Sequence, residues 1–109
     1  MSIMSVINLT TENFEEEVLN AKEPVLVDFW ATWCGPCQTM GPLVEEIAEE
    51  RADIKVCKLD VDQEPELEAA FAIRTIPNLL LCPMGGKPSM KLGTMNKTQL
   101  KALIEEVLL

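Results

Sequence analysis

Short apolar runs alternate along the chain with stretches whose apolar residues recur every three to four positions, the periods of strands and of amphipathic helices. Residues 6–9 form the first strand candidate. Thr11 is placed to N-cap a helix that follows, with Glu12 suited to its positive end and Phe14 and Val18 on one face. Pro24-Val25-Leu26-Val27-Asp28-Phe29-Trp30 is apolar at both parities, the pattern of a central strand covered on both sides. A long helix is predicted over residues 34–50, with Met40, Leu43, Val44 and Ile47 as its core stripe. Pro42 cannot donate to the carbonyl of Gln38, so a kink there or a division into two helices is expected.

Residues 54–61 read as a further strand, and Pro65 opens a short helix with Leu67, Ala70 and Phe71 on one face. Residues 78–82 and 89–92 are two more strands joined through the turn sequence Pro83-Met84-Gly85-Gly86. Asn96 and Gln99 match a capping box that begins a last helix, whose buried stripe is Leu100, Leu103, Ile104 and Val107. The order β-α-β-α-β-α-β-β-α implies an α/β fold with a parallel sheet and an antiparallel edge hairpin. At 109 residues, without repeats or a Gly/Ser-rich linker, one domain spanning residues 1–109 is expected.

Charge and composition narrow the function. Nine Lys and Arg against 18 Asp and Glu leave a formal charge of −9, which argues against binding a phosphate backbone, so no nucleic-acid partner is expected. Histidine is absent, which removes Ser–His–Asp and Cys–His catalysis and histidine-ligated metals. No run approaches the roughly 20 apolar residues of a membrane span, and residues 1–8 lack the features of a signal peptide. A cytoplasmic protein is the expectation. In that setting four cysteines point to redox or metal chemistry before a structural disulfide framework.

Trp33-Cys34-Gly35-Pro36-Cys37 lies between the central strand and the long helix, where open α/β sheets place their sites. If Cys34 opens the helix, Cys37 lies one turn on along the same face, and the two sulfurs can close a small disulfide ring. Pro36 is tolerated in a first turn, and the unpaired amides there stabilise a thiolate on Cys34. Cys34 should therefore attack and the more shielded Cys37 resolve. Zinc would need two more ligands, and Cys57 and Cys82 stand alone on separate strands rather than in a second pair, so no metal is expected.

Asp28 is the one charged side chain in a strand that looks buried on both faces, which would raise its pKa unless a partner is found. Lys58 is the candidate partner, sharing strand parity with Ile54 and Val56. The functional reading makes Asp28 the proton acceptor or donor for Cys37; the competing one is a strand-end carboxylate in water beside a snorkelling lysine. Ile76-Pro77 directly precedes a strand, where a cis bond could form a tight turn, and the residues alone leave the isomer open.

This set of motifs, with Pro42, Lys58, Ile76-Pro77 and Gly93 in the same order, resembles the thioredoxin family from about Val6 to the C-terminus. The resemblance implies the thioredoxin fold, a mixed central sheet flanked by four helices, with Cys34 as nucleophile and Cys37 as resolving thiol around Gly35 and Pro36. It implies that Asp28 and Lys58 are the family's buried acid and its neighbour, and that Pro77 is cis. Trp33, Ile76, Pro77 and Gly93 would line a shallow substrate groove, with the backbone of Ile76 pairing with a substrate strand. The implied activity is general protein-disulfide reduction in cell redox homeostasis, with no bound cofactor. Electrons would come from NADPH or ferredoxin through a thioredoxin reductase, and the partners would be that reductase and disulfide-containing proteins. A monomer is expected. Cys57 and Cys82 fall outside the family's motif and read as small buried hydrophobes.

Overall fold

The structure, a computed structural model, describes residues 5–109. Its sheet comprises β1 (Val6–Asn8), β2 (Val25–Trp30), β3 (Lys55–Asp60), β4 (Asn78–Cys82) and β5 (Ser89–Leu92), in the spatial order β1-β3-β2-β4-β5. The helices are α1 (Glu15–Leu19), which has the wider π-helical winding, α2 (Gly35–Glu50), α3 (Pro65–Ala70) and α4 (Lys97–Leu103), the last continued by a second π-wound turn, Ile104–Leu108. β1, β3 and β2 run parallel, whereas β4 and β5 are antiparallel to their neighbours.

β2 is central because its side chains are apolar on both faces. Val25, Val27 and Phe29 join a core under α1 and α3 with Phe14, Val18, Leu59 and Leu80. Leu26 enters a second core on the other face with Met40, Val44, Ile47, Leu79, Leu100 and Ile104 from α2, β4, α4 and the turn that continues α4. Each fully buried Leu, Ile or Phe contributes about 1.5–3 kcal/mol of transfer free energy, so the sheet is held from both sides. Phe14 and Phe29 each meet Phe71 in tilted ring contacts at 5.4 and 5.6 Å.

α2 runs unbroken through Pro42, so the two-helix alternative does not hold. The capping box of Asn96 and Gln99 starts α4 as expected. The first helix differs. Its N-cap is Phe14, which makes no side-chain cap bond, rather than Thr11; the turn before it is closed by Thr10 Oγ1 accepting from the Asn13 N–H at 3.2 Å and Asn13 Oδ1 accepting from the Thr10 N–H at 2.7 Å. Thr11 instead donates its N–H and its hydroxyl to Glu64 Oε1, tying this end of the chain to the start of α3. Ala70 is exposed rather than buried, because α3 ends there and Ile73 enters the core in its place.

The chain leaves α3 through Ala72 at φ 54°, with the Ile73 N–H reaching the Glu68 carbonyl at 3.0 Å. That left-handed exit favours glycine, because a Cβ crowds the following carbonyl. Ala72→Gly is expected to stabilise the fold by about 0.5–1 kcal/mol after the entropy of the unfolded glycine is counted. Thermal unfolding should show a midpoint raised by roughly 2–6 °C, and an unchanged or lowered midpoint would contradict this reading.

Topology brings the site together. Phe29, near the carboxyl end of β2, is the register partner of Asn78, the first residue of β4, and Asn78 is in turn the partner of Leu92, the last residue of β5. The segments just after β2, just before β4 and just after β5 therefore meet at one end of the sheet. They carry Cys34, Pro77 and Gly93.

Candidate active site

Cys34 is the N-cap residue of α2, with extended backbone (φ −91°, ψ 108°), and its Sγ accepts the N–H of Cys37 at 3.2 Å. A sulfur thus occupies the place usually held by a serine or aspartate oxygen. Gly35 and Pro36 complete the first turn, where the missing N–H of proline leaves no intrahelical bond unmade. Cys34 and Cys37 are joined as a disulfide with Cα atoms 5.2 Å apart. Both are buried, and both belong to the core under α1 and α3. The Cys37 N–H and the positive dipole end of a 16-residue helix favour negative charge on the outer sulfur.

The peptide bond Ile76-Pro77 is cis. The Gly93 N–H donates to the Pro77 carbonyl at 3.0 Å, and Gly93 adopts φ +91°, a conformation that L side chains rarely take. Pro77 and Gly93 are thus brought together, and half-buried Ile76 packs against the same core cluster that holds both cysteines. Trp33 is 69% exposed, and its indole N–H donates to Asp62 Oδ2 at 2.8 Å. The structure therefore fixes this ring through Asp62, a residue the sequence reading did not single out. Trp30 is half-buried against the core instead.

Asp28 is fully buried, and neither carboxyl oxygen has a hydrogen-bond partner. Burial pushes its pKa up to about 6; Lys58 opposes the shift and Glu45 adds to it. The expected pairing with Lys58 is corrected in its detail. Asp28 and Lys58 are register partners on β2 and β3, yet the Lys58 ammonium lies 3.4 Å from Glu45 Oε2 and 5.1 Å from the centroid of the Trp30 ring. Its action on Asp28 is through space. Glu45 was readable from helix spacing, since Cys37, Gly41 and Glu45 fall at i, i+4 and i+8, but the apolar stripe of α2 concealed it. A cleft of about 190 Å³ runs between these groups, lined by Trp30, Cys37, Gly41, Glu45 and Lys58 among others.

Cys57 is buried, and its thiol is pushed up to about 12 by desolvation. Cys82 is half-buried, with its pKa also raised by burial. Neither has the character of a reactive thiolate. Among the described residues no group of three or more His, Cys, Asp or Glu is placed to hold a metal ion, and no helix is long and apolar enough to cross a membrane.

A cysteine pair closing the first turn of a helix, at the end of the sheet that also carries a cis proline, is suited to exchanging disulfides. The sequence profile of the Thioredoxin family matches residues 5–106. The chain is 43% identical over 105 residues to a thioredoxin of Acidithiobacillus ferridurans, covering 95% of this chain and 97% of that protein. It is 40% identical over 101 residues to a thioredoxin of Pseudomonas aeruginosa (92% and 94% covered). A thioredoxin of Pyropia yezoensis is 42% identical over 104 residues (94% and 97% covered). The fold is thus the α/β thioredoxin fold, and the chain is a thiol–disulfide oxidoreductase acting as a protein-disulfide reductase. With its cysteine pair at the start of α2 and a profile match along nearly its whole length, the chain belongs to the thioredoxin family.

Proposed function

We propose that this chain is a general electron carrier of the cytoplasm, reduced by a thioredoxin reductase with electrons from NADPH or ferredoxin and oxidised by disulfide-containing proteins. It works as a monomer. The observation that carries the reading is the Cys34 sulfur capping α2 while bonded to Cys37. In the dithiol form the Cys34 thiolate attacks one sulfur of a substrate disulfide. A Cys34–substrate bond forms, and the second substrate sulfur departs as a thiolate that takes a proton from water. Cys37 then gives its proton to the Asp28 carboxylate and attacks Cys34 Sγ. The Cys34–Cys37 bond forms, the Cys34–substrate bond breaks, and the released thiolate is protonated. Two electrons have passed from the dithiol to the substrate disulfide.

Substrate would lie against Trp33, Ile76, Pro77 and Gly93. A half-buried residue before a cis proline offers its backbone to an extended segment, the mode in which a strand is added to an existing structure. Trp33, held by Asp62, supplies an apolar wall beside the reacting sulfur.

The test is equilibration in graded thiol–disulfide buffers, followed by alkylation and mass spectrometry of each cysteine. A reductase requires that Cys34 and Cys37 oxidise together, with a potential below that of the glutathione pool. A potential near that of oxidising compartments would make the protein an oxidant or isomerase. Cysteines that form no reversible pair would overturn the reading altogether.

A further inference from the structure

The buried carboxylate in the central strand stands next to a lysine that makes no hydrogen bond to it. Asp28 is fully buried and both its oxygens lack a hydrogen-bond partner. Lys58 is its neighbour in register, so the strand pairing alone would let the ammonium settle on Asp28. It settles elsewhere. Lys58 Nζ lies 3.4 Å from Glu45 Oε2 and 5.1 Å from the Trp30 ring centroid.

Space for this position is made by Gly41, where an added Cβ would come within 3.1 Å of the ammonium. Cys37, Gly41 and Glu45 follow one another at successive turns of α2, so the helix that bears the resolving thiol also bears the group that holds the lysine. The cleft lined by Trp30, Cys37, Glu45 and Lys58 joins these groups. Lys58 from β3 and Glu45 from α2 are the charged groups acting on Asp28, and β4 presents only Leu79 to it in register. One ammonium thus acts on two carboxylates, and its contact is with the half-exposed one.

We propose that Glu45 is a positioning residue for disulfide exchange, holding Lys58 against Trp30 and over Gly41 so that the buried Asp28 carboxylate stays unpaired and free to take and return the Cys37 proton. An ammonium bound directly to Asp28 would stabilise its charged form and weaken it as a base. The proposal rests on the reading of Asp28 as the proton acceptor, and the choice of variants separates the two.

The experiment follows the titration of the Asp28 carboxyl by carbon NMR in the oxidised protein, and the pH profile of its reduction by dithiothreitol. Glu45→Gln is expected to shift both inflections to lower pH by roughly one unit, the size a newly paired opposite charge produces. Glu45→Asp, which keeps the charge, should restore most of the wild-type profile. In a Lys58→Met background the effect of Glu45→Gln should shrink, because only direct repulsion between the two carboxylates is left to remove. An unshifted Asp28 titration in Glu45→Gln, or an equal shift with and without Lys58, would overturn the positioning role. The base reading is tested by Asp28→Asn: if its pH profile equals that of the wild type, Asp28 is not the proton acceptor. The carboxyl titration still reports in that event whether Glu45 governs Lys58.

Discussion

Replacing Cys34 by serine is expected to reduce the rate of substrate-disulfide reduction on the order of 10⁴-fold or more, because the attacking atom is removed and the rest of the site cannot substitute for it. Replacing Cys37 by serine should give a different failure. The first attack proceeds, the second cannot, and the protein accumulates as a covalent adduct with its substrate. Intact mass spectrometry after mixing with a disulfide substrate reads both outcomes at once: no adduct for Cys34→Ser, and close to one substrate per chain for Cys37→Ser. Cys37 is the inner residue of the pair, one turn into α2, and its N–H points at the Cys34 sulfur. The outer sulfur is therefore the one that helix amides stabilise as a thiolate. Adducts on Cys37 in the Cys34→Ser variant would reverse the assigned order of attack.

A stability change of comparable weight is expected at Asp28. Its pKa in the fold lies at about 6 against an ordinary 3.8, chiefly through loss of solvation. The folded protein therefore holds this proton in a pH range where the unfolded chain has released it, so the fold is favoured at low pH and loses stability as pH rises from about 4 through 6. Above that window the loss is on the order of 3 kcal/mol. Asp28→Asn keeps the volume and removes the charge. It should leave urea stability of the oxidised protein nearly unchanged at pH 4 and raise it by up to about 3 kcal/mol at pH 7.5, as a higher midpoint with the same slope. An equal gain at both pH values would show that solvation of the carboxylate is not the cause. An apolar side chain there would hold the fold better, which supports the proposed role of Asp28 in proton transfer.

Much of the fold was readable because its signals are local. The box of Asn96 and Gln99 needs only four consecutive residues, and it stands in the structure as expected. The doubly apolar run of β2 named the central strand, and cysteine spacing with Pro36 named the helix start. What escaped depends on how elements lie across one another. Thr11 has the chemistry of an N-cap by local rules. Its N–H and hydroxyl are taken instead by Glu64, 53 positions away in sequence, while Asn13 pairs with Thr10 and the helix begins only after Phe14. Strand parity placed Lys58 beside Asp28 correctly, but not the capture of its ammonium by Glu45, because that follows from the path of α2 over β3. The isomer at Pro77 was open to local reasoning and came only from the family likeness. Its hydrogen bond with Gly93 needed β5 to be placed antiparallel to β4.

The sulfur that begins α2 is anchored by the helix it caps and buried among core side chains, so it cannot travel to meet a partner. Movement must come from the other side. A protein that wishes to be reduced has to bring its own disulfide to a stationary point, on a segment loose enough to straighten and to expose both sulfurs. On the proposed mechanism, generality toward many partners would need no adaptable surface here, and choice among them would turn on how readily each yields a stretch of its own chain.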